Sequence, residues 1–193
     1  MASTILVDKI DPQSGTALEI GTSGDTITVP SGATFNVAGT LQSGGAALAN
    51  TPAFNVKLSS NQDVSDGVGT VVAFNSAQVD TDSAFNTSTY RFIPQTAGKY
   101  FISFTMYALS ANAGNGNLYS LTAHIRKNGS NQTQVVQDYN NSFIRQGVAT
   151  TTAIIDMNGS TDYIDFFGDV NVGSGDGRFE NHTRANGFLL VGA

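Results

Sequence analysis

Tyr100-Phe101-Ile102-Ser103-Phe104-Thr105-Met106-Tyr107 decides the fold class. Successive side chains of an extended chain point to opposite faces. Tyr100, Ile102, Phe104 and Met106 therefore share one face, and Ser103, Thr105 and Tyr107 share the other. A helix would scatter the same residues around its axis, so the stretch predicts a strand with a core on one side. Leu118–Arg126 repeats the pattern, with Tyr119, Leu121, Ala123 and Ile125 inward and Ser120, Thr122, His124 and Arg126 outward. Further strands are expected over 53–58, 70–79, 89–93, 133–139, 148–157, 161–170 and 188–191. Asn128-Gly129 and Asn158-Gly159 lie between such runs and suit tight hairpins, whose central residues take positive φ. Eight to ten short strands at this spacing give an all-β sandwich or jelly roll.

Composition agrees. Gly, Ser, Thr and Asn supply 77 of the 193 residues and charged residues only 12 %, a balance that favours strands and turns over helices. Twelve Phe and six Tyr are enough aromatic surface for a genuine core. The formal charge is −6 with no basic stripe, which argues against nucleic acid as a partner because phosphate neutralisation needs clustered cations. No run approaches the ~18 apolar residues of a membrane span, so membrane insertion is not expected. The absence of Cys excludes disulfides, thiol nucleophiles and thiolate metal sites. The first residues carry neither a basic n-region nor an apolar stretch of signal-peptide length, which predicts synthesis and assembly in a cytosol.

Residues 15–37 contain a short repeat. Gly15-Thr16-Ala17-Leu18-Glu19-Ile20, Gly24-Asp25-Thr26-Ile27-Thr28-Val29 and Gly32-Ala33-Thr34-Phe35-Asn36-Val37 share the form Gly-x-x-apolar-x-apolar. Each copy reads as one short strand followed by a turn. One chain of such strands has no second layer to cover its apolar face, whereas three chains wound about one axis supply it. The alternative is a β-meander packed on the main domain. A Gly/Ala hinge over 42–50 then separates an N-terminal unit, 1–50, from a main domain, 51–193.

Within the main domain, Ala84-Phe85-Asn86-Thr87-Ser88-Thr89-Tyr90-Arg91-Phe92-Ile93-Pro94-Gln95-Thr96-Ala97-Gly98-Lys99-Tyr100-Phe101 resembles the signature of the globular heads of complement component 1q. Ala53-Phe54, Phe74, the turn around Asn158-Gly159 and Asn186-Gly187-Phe188-Leu189-Leu190 fall in the matching order. The resemblance implies a ten-stranded jelly-roll β-sandwich knob, related to tumour necrosis factor, that assembles as a homotrimer and works in recognition, in some members with calcium. Ile5–Ile10 and Ser23–Pro30 are similar to anchor and shaft phrases of tailed-bacteriophage fibres. Together these imply a short trimeric β shaft followed by the knob. The protein would then be assembled in the bacterial host cytoplasm and displayed on the virion surface, on tail or capsid. Its partners would be itself, other phage virion proteins docked through Ile5, Leu6, Val7 and Ile10, and a host cell-surface glycan or protein.

Three kinds of chemistry remain to be placed. Asn- and Gly-rich segments at 110–117, 131–141 and 173–182 offer receptor-binding candidates in Asn112, Asn115, Asn117, Tyr139, Asn141, Phe143, Arg178 and His182. These amides, cations and rings suit sugar hydroxyls and ring faces. Asp169, Asn171 and Asp176 could hold calcium in a loose oxygen site, although the segment lacks the Gly and the flanking helices of a helix-loop-helix calcium loop. No other cofactor is implied. No catalytic residues are expected: His124 and His182 accompany no nucleophile motif, and Asp162 and Asp165 fall on opposite faces of one strand. The competing readings are a capsid decoration protein that binds no host and a glycan-cleaving enzyme built on that acidic pair.

Overall fold

The computed structural model describes residues 18, 20–39, 42, 43, 46, 47, 49–111, 117–142 and 144–191. The strands, numbered along the chain, are β1 (Gln42–Ser43), β2 (Ala46–Ala47), β3 (Ala53–Lys57), β4 (Gln62–Val64), β5 (Thr70–Val71), β6 (Ser76–Asp80), β7 (Phe85–Asn86) and β8 (Arg91–Phe92). They continue as β9 (Ala97–Ser110), β10 (Leu118–Lys127), β11 (Ser130–Asp138), β12 (Gln146–Asn158), β13 (Ile164–Val172), β14 (Gly177–Phe179) and β15 (Arg184–Leu189). The described residues contain no α-helix, only a 3-10 turn at Thr81–Ser83. The chain divides into two units, Met1–Gln42 and Ser43–Ala193.

In the first unit, the described residues 20–39 form no strand. Their hydrogen bonds stay inside the turns. Asp25 N–H donates to Thr22 O and Ala33 N–H to Pro30 O, while Asp25 Oδ2 accepts from Thr22 N–H at 2.7 Å. A strand needs a neighbouring edge to take its N–H and C=O groups, and the described residues 20–39 offer none to one another. Leu18, Ile20, Ile27, Val29, Phe35 and Val37 are all exposed, between 37 % and 68 %.

β1 and β2 form a two-stranded sheet, and the other strands, all in the second unit, form a sandwich. One sheet runs β11-β10-β13-β8-β7, with β5 also on β13. The other runs β4-β14-β9-β15-β3-β6, with β12 on the free edge of β9. The strand count exceeds ten because β4, β5, β7, β8 and β14 are pieces of two or three residues. Tyr100, Ile102, Phe104 and Met106 on β9 are fully buried, as their alternation predicts. They meet Phe166 from the opposite sheet, which packs against Phe104 at 5.3 Å and edge-on against Phe74 at 5.5 Å. Phe54 and Phe92 extend this aromatic layer at 4.4 Å. Such rings fill the sandwich and add directional contacts worth about 0.5–1.5 kcal/mol per pair beyond their area.

Local details correct three expectations. Tyr119 is only half-buried, and Leu118 takes the inward place, because a bulge shifts the β10–β13 register between Leu118 and Ser120. The run 70–79 is not one strand. Phe74 N–H bonds back to Val72 O at 2.9 Å, and this tight turn carries the chain from β5 in one sheet to β6 in the other. Asn128 (φ 52) and Gly129 (φ 79) do make the expected hairpin between β10 and β11. Asn158-Gly159 does not, since β12 and β13 belong to different sheets. There Asn158 Oδ1 collects N–H groups of Ser160, Thr161 and Asp162, and Gly159 (φ 69) passes so near the backbone that a Cβ would lie 2.3 Å from Ala97 N.

Candidate functional site

Strand polarity gives the sandwich two distinct ends. Ala53 pairs with Phe188, Leu189 with Tyr100, and Asn158 with Ala97, so the chain enters and leaves the sandwich at one end. Lys57 pairs with Arg184, Ser110 with Gly177, Leu118 with Val172, and Gln146 with Leu109. These pairs define the opposite end, and Asn117, Tyr139, Asn141, Arg178 and His182 all belong to it. Asn112, Asn115 and Phe143, like Ile5, Leu6, Val7 and Ile10, lie outside the described residues.

The described candidates differ in availability. Asn117 is partly engaged: its side-chain amide N–H donates to Ser174 Oγ at 3.2 Å and its backbone carbonyl accepts Gly173 N–H at 2.9 Å, while its buried Oδ1 has no hydrogen-bond partner. Tyr139 and Asn141 line a hollow of about 290 Å³ whose wall is a single turn, 138–142. Burial raises the Tyr139 phenol above its ordinary pKa, so it is a neutral donor. Arg178 is held by Asp63 through its Nε, and that contact lowers the Asp63 pKa. Asp169 Oδ1 accepts from the Asn171 amide at 2.7 Å. Asp176 sits in the following turn, where its carbonyl accepts Ala111 N–H. Among the described residues no group of three or more His, Asp or Glu side chains is placed to hold a metal ion.

His182 stands in the turn from β14 to β15, beside Tyr107 with ring centroids 5.8 Å apart. The same turn is fixed by Thr183, whose Oγ1 accepts Tyr107 N–H at 3.0 Å and donates to Tyr107 O at 3.1 Å. His182 joins Asn55, Lys57, Gln78, Asn181 and Arg184 around an open groove of about 300 Å³. Of these six, only His182 was legible as a candidate. The other five come from three separate segments, and the available signal is that Asn55, Lys57 and Arg184 occupy outward positions of alternating strands.

The acidic pair sits at the other end and is structural. Asp165 makes a two-pronged contact with Arg126, Nε–Oδ1 2.6 Å and Nη2–Oδ2 2.9 Å, and the guanidinium lies 4.1 Å from the Phe167 ring centre. Asp162 accepts from Lys127 Nζ at 2.8 Å, Asn128 Nδ2 at 2.8 Å and Asn158 N–H at 2.9 Å. Those donors, Lys127 first, hold its carboxyl down at about 2. Asp162 is therefore ionised, and the oxygens of both carboxylates are taken up by donors of their own chain. His124, next to Phe167 at 5.7 Å, has its pKa lowered by burial and then by Arg126.

Two antiparallel sheets closed over an aromatic layer, with loops gathered at the ends, define a jelly-roll sandwich of the complement 1q and tumour necrosis factor type. The chain belongs to the C1q domain family, whose model matches residues 53–190. Among solved structures it is similar to the globular domain of a zebrafish complement 1qA protein, at 19 % identity, TM-score 0.50, over 72 % of this chain and 96 % of that one. The Eiger TNF of S. frugiperda matches at 12 % identity, TM-score 0.52, over 73 % and 93 %. Murine APRIL matches at 8 % identity, TM-score 0.51, over 72 % and 98 %. At these identities the likeness establishes the fold. A search of curated proteins finds no match.

Proposed function

We propose that the chain is a homotrimeric structural fibre of a bacteriophage virion, attached to tail or capsid and assembled in the host cytoplasm. Residues 1–50 serve as anchor and shaft, and residues 51–193 as a knob that recognises a host cell-surface glycan or protein. The exposure of all six apolar side chains of the 18–37 repeat carries this reading. Fully burying one such side chain stabilises by about 1.5–3 kcal/mol, and two further copies of the same segment supply the missing layer and the missing strand edges.

Two features of the knob support the same reading. C1q-type domains typically serve as binding or structural modules and are often trimeric. In addition, Ile154, Phe101 and Phe188 form an apolar row across β12, β9 and β15, with the two rings 5.6 Å apart, on the outer face of their sheet. The recognition loops lie at the end away from the one where the chain enters the sandwich. Three identical knobs would multiply weak contacts into useful avidity. Antibody raised against the purified chain tests this on virions that carry it. Labelling of the particle and blocked adsorption are expected; labelled particles that adsorb normally but lose capsid strength without the protein would make it a decoration protein instead.

A further inference from the structure

We infer that three copies of residues 18–37 pack in parallel with like residues facing like. Leu18/Ile20, Ile27/Val29 and Phe35/Val37 then form three successive apolar layers, and the unequal spacing of the repeat fixes the register. This rests on the trimeric reading above and adds which residue meets which. The turns set the frame. Thr22-Ser23-Gly24-Asp25 and Pro30-Ser31-Gly32-Ala33 are closed by equivalent hydrogen bonds, Asp25 N–H to Thr22 O and Ala33 N–H to Pro30 O, both 3.0 Å. Gly24 (φ 97) and Gly32 (φ 86) hold the same corner of each turn, the position that a type II turn reserves for Gly. One turn conformation therefore recurs eight residues on. After the turns, Thr26, Thr28, Thr34 and Asn36 alternate with Ile27, Val29, Phe35 and Val37, so each extended stretch carries one polar and one apolar face.

A partner for these stretches must offer an apolar face and free backbone edges at the same intervals. Ile20, Ile27 and Phe35 are each more than 60 % exposed, and between the described residues 20–39 the backbone hydrogen bonds stay within the two turns. Further copies of the same segment meet both needs at once. Charge does not oppose them: Asp25 is the one charged residue in 20–39, and its carboxylate accepts from Thr22 N–H and Oγ1 in its own turn. Closed three-fold symmetry gives the copies a shared direction and puts every residue level with its own copies. Spacing then excludes the slipped arrangements. The apolar pairs are nine residues apart from 18 to 27 and eight apart from 27 to 35. With no offset all three pairs coincide. A slide of eight sets Phe35 beside Ile27 but Ile27 beside Glu19, and a slide of nine sets Ile27 beside Leu18 but Phe35 beside Thr26. A one-residue error exchanges the two faces of a strand, so either slide keeps one layer and breaks the others.

The chain contains no Cys, so each variant carries a single thiol of known position. Full-length Val29→Cys and Val37→Cys chains are co-expressed, so that copies mix as they assemble, and are treated with a short bis-maleimide. Mass spectrometry then identifies the linked peptides. Links joining 29 to 29 and 37 to 37 are expected, with links joining 29 to 37 at less than a tenth of their yield. Thr28→Cys, on the polar face, should link at least tenfold more slowly than Val29→Cys. Co-expressed Ile27→Cys and Phe35→Cys chains repeat the test in the same two layers, so failure of one valine variant to assemble leaves it decided. Solution mass is recorded on every sample and separates two failures. A mass of one copy would end the trimeric reading and this register with it. A three-copy mass with mixed links as frequent as same-site ones, with Thr28→Cys linking as fast as Val29→Cys, or with no links at any apolar position would overturn the register alone.

Discussion

Asp165→Ala distinguishes a structural from a catalytic carboxylate. Asp165 has only 4 % of its side chain exposed and Arg126 17 %. Removing the acid strands a largely buried guanidinium, and breaking such a pair costs about 3–5 kcal/mol. Two features favour the lower limit. Arg126 retains some water contact, and its planar face stays on Phe167. The expected loss is therefore about 3 kcal/mol. At about 2–4 °C per kcal/mol for a chain of this size, the unfolding midpoint falls by roughly 6–12 °C. Equilibrium urea unfolding, followed by tyrosine fluorescence at fixed protomer concentration, measures the free-energy loss, and a thermal melt measures the shift in midpoint. The paired replacement Arg126→Met/Asp165→Leu removes both charges while retaining bulk and should fall within about 1 kcal/mol of the parent. A loss below about 1 kcal/mol for Asp165→Ala would refute the reasoning, and a gain would point to a carboxylate held under functional strain, as an active site holds one.

The other predictions concern acid stability, the turn at 159 and the repeat. The folded Asp162 pKa, about 2, lies below the ordinary 3.8, so its contribution is complete above pH 4 and is lost as pH falls through 2. Asp162→Asn should flatten the acid limb of the stability curve in that window, and a carboxyl NMR titration with a midpoint near 4 would contradict the lowered value. Gly159→Ala meets both the positive φ and the Ala97 backbone, so it should destabilise by about 2–5 kcal/mol in urea unfolding, whereas Gly129→Ala, in an open turn, should cost about 1 kcal/mol. Ile27→Ser with Phe35→Ser should weaken self-association by at least tenfold in sedimentation velocity, because each side chain is more than 60 % exposed in the single chain. The unfolding of the sandwich should be unaffected.

What the sequence disclosed follows the range of the interactions. Alternation over 100–107 and 121–125 is local, and burial there matched it residue by residue. Asn128-Gly129 was equally legible, because a two-residue turn with both φ positive is settled by its own residues. Asn158-Gly159 carries the same letters, yet it joins different sheets, and the choice was made by Asp162 and the passing Ala97 backbone. The break at Val72–Phe74 was hidden because Val71-Val72-Ala73-Phe74 is an unbroken apolar run with no Gly or Pro to mark a turn. The groove was hidden for a different reason. Lys57 and Arg184 are 127 positions apart in the sequence, and only the pairing of β3 with β15 reveals that two cations face each other. Alternation shows which way a side chain points, not which strand lies next to it.

The solution mass of the purified full-length chain, measured by light scattering at micromolar concentration, bears most directly on the central claim. The account predicts about 60 kDa, three copies of 20.1 kDa. A mass near 20.1 kDa would contradict it, because the six apolar side chains of the repeat would then have to be covered by their own chain.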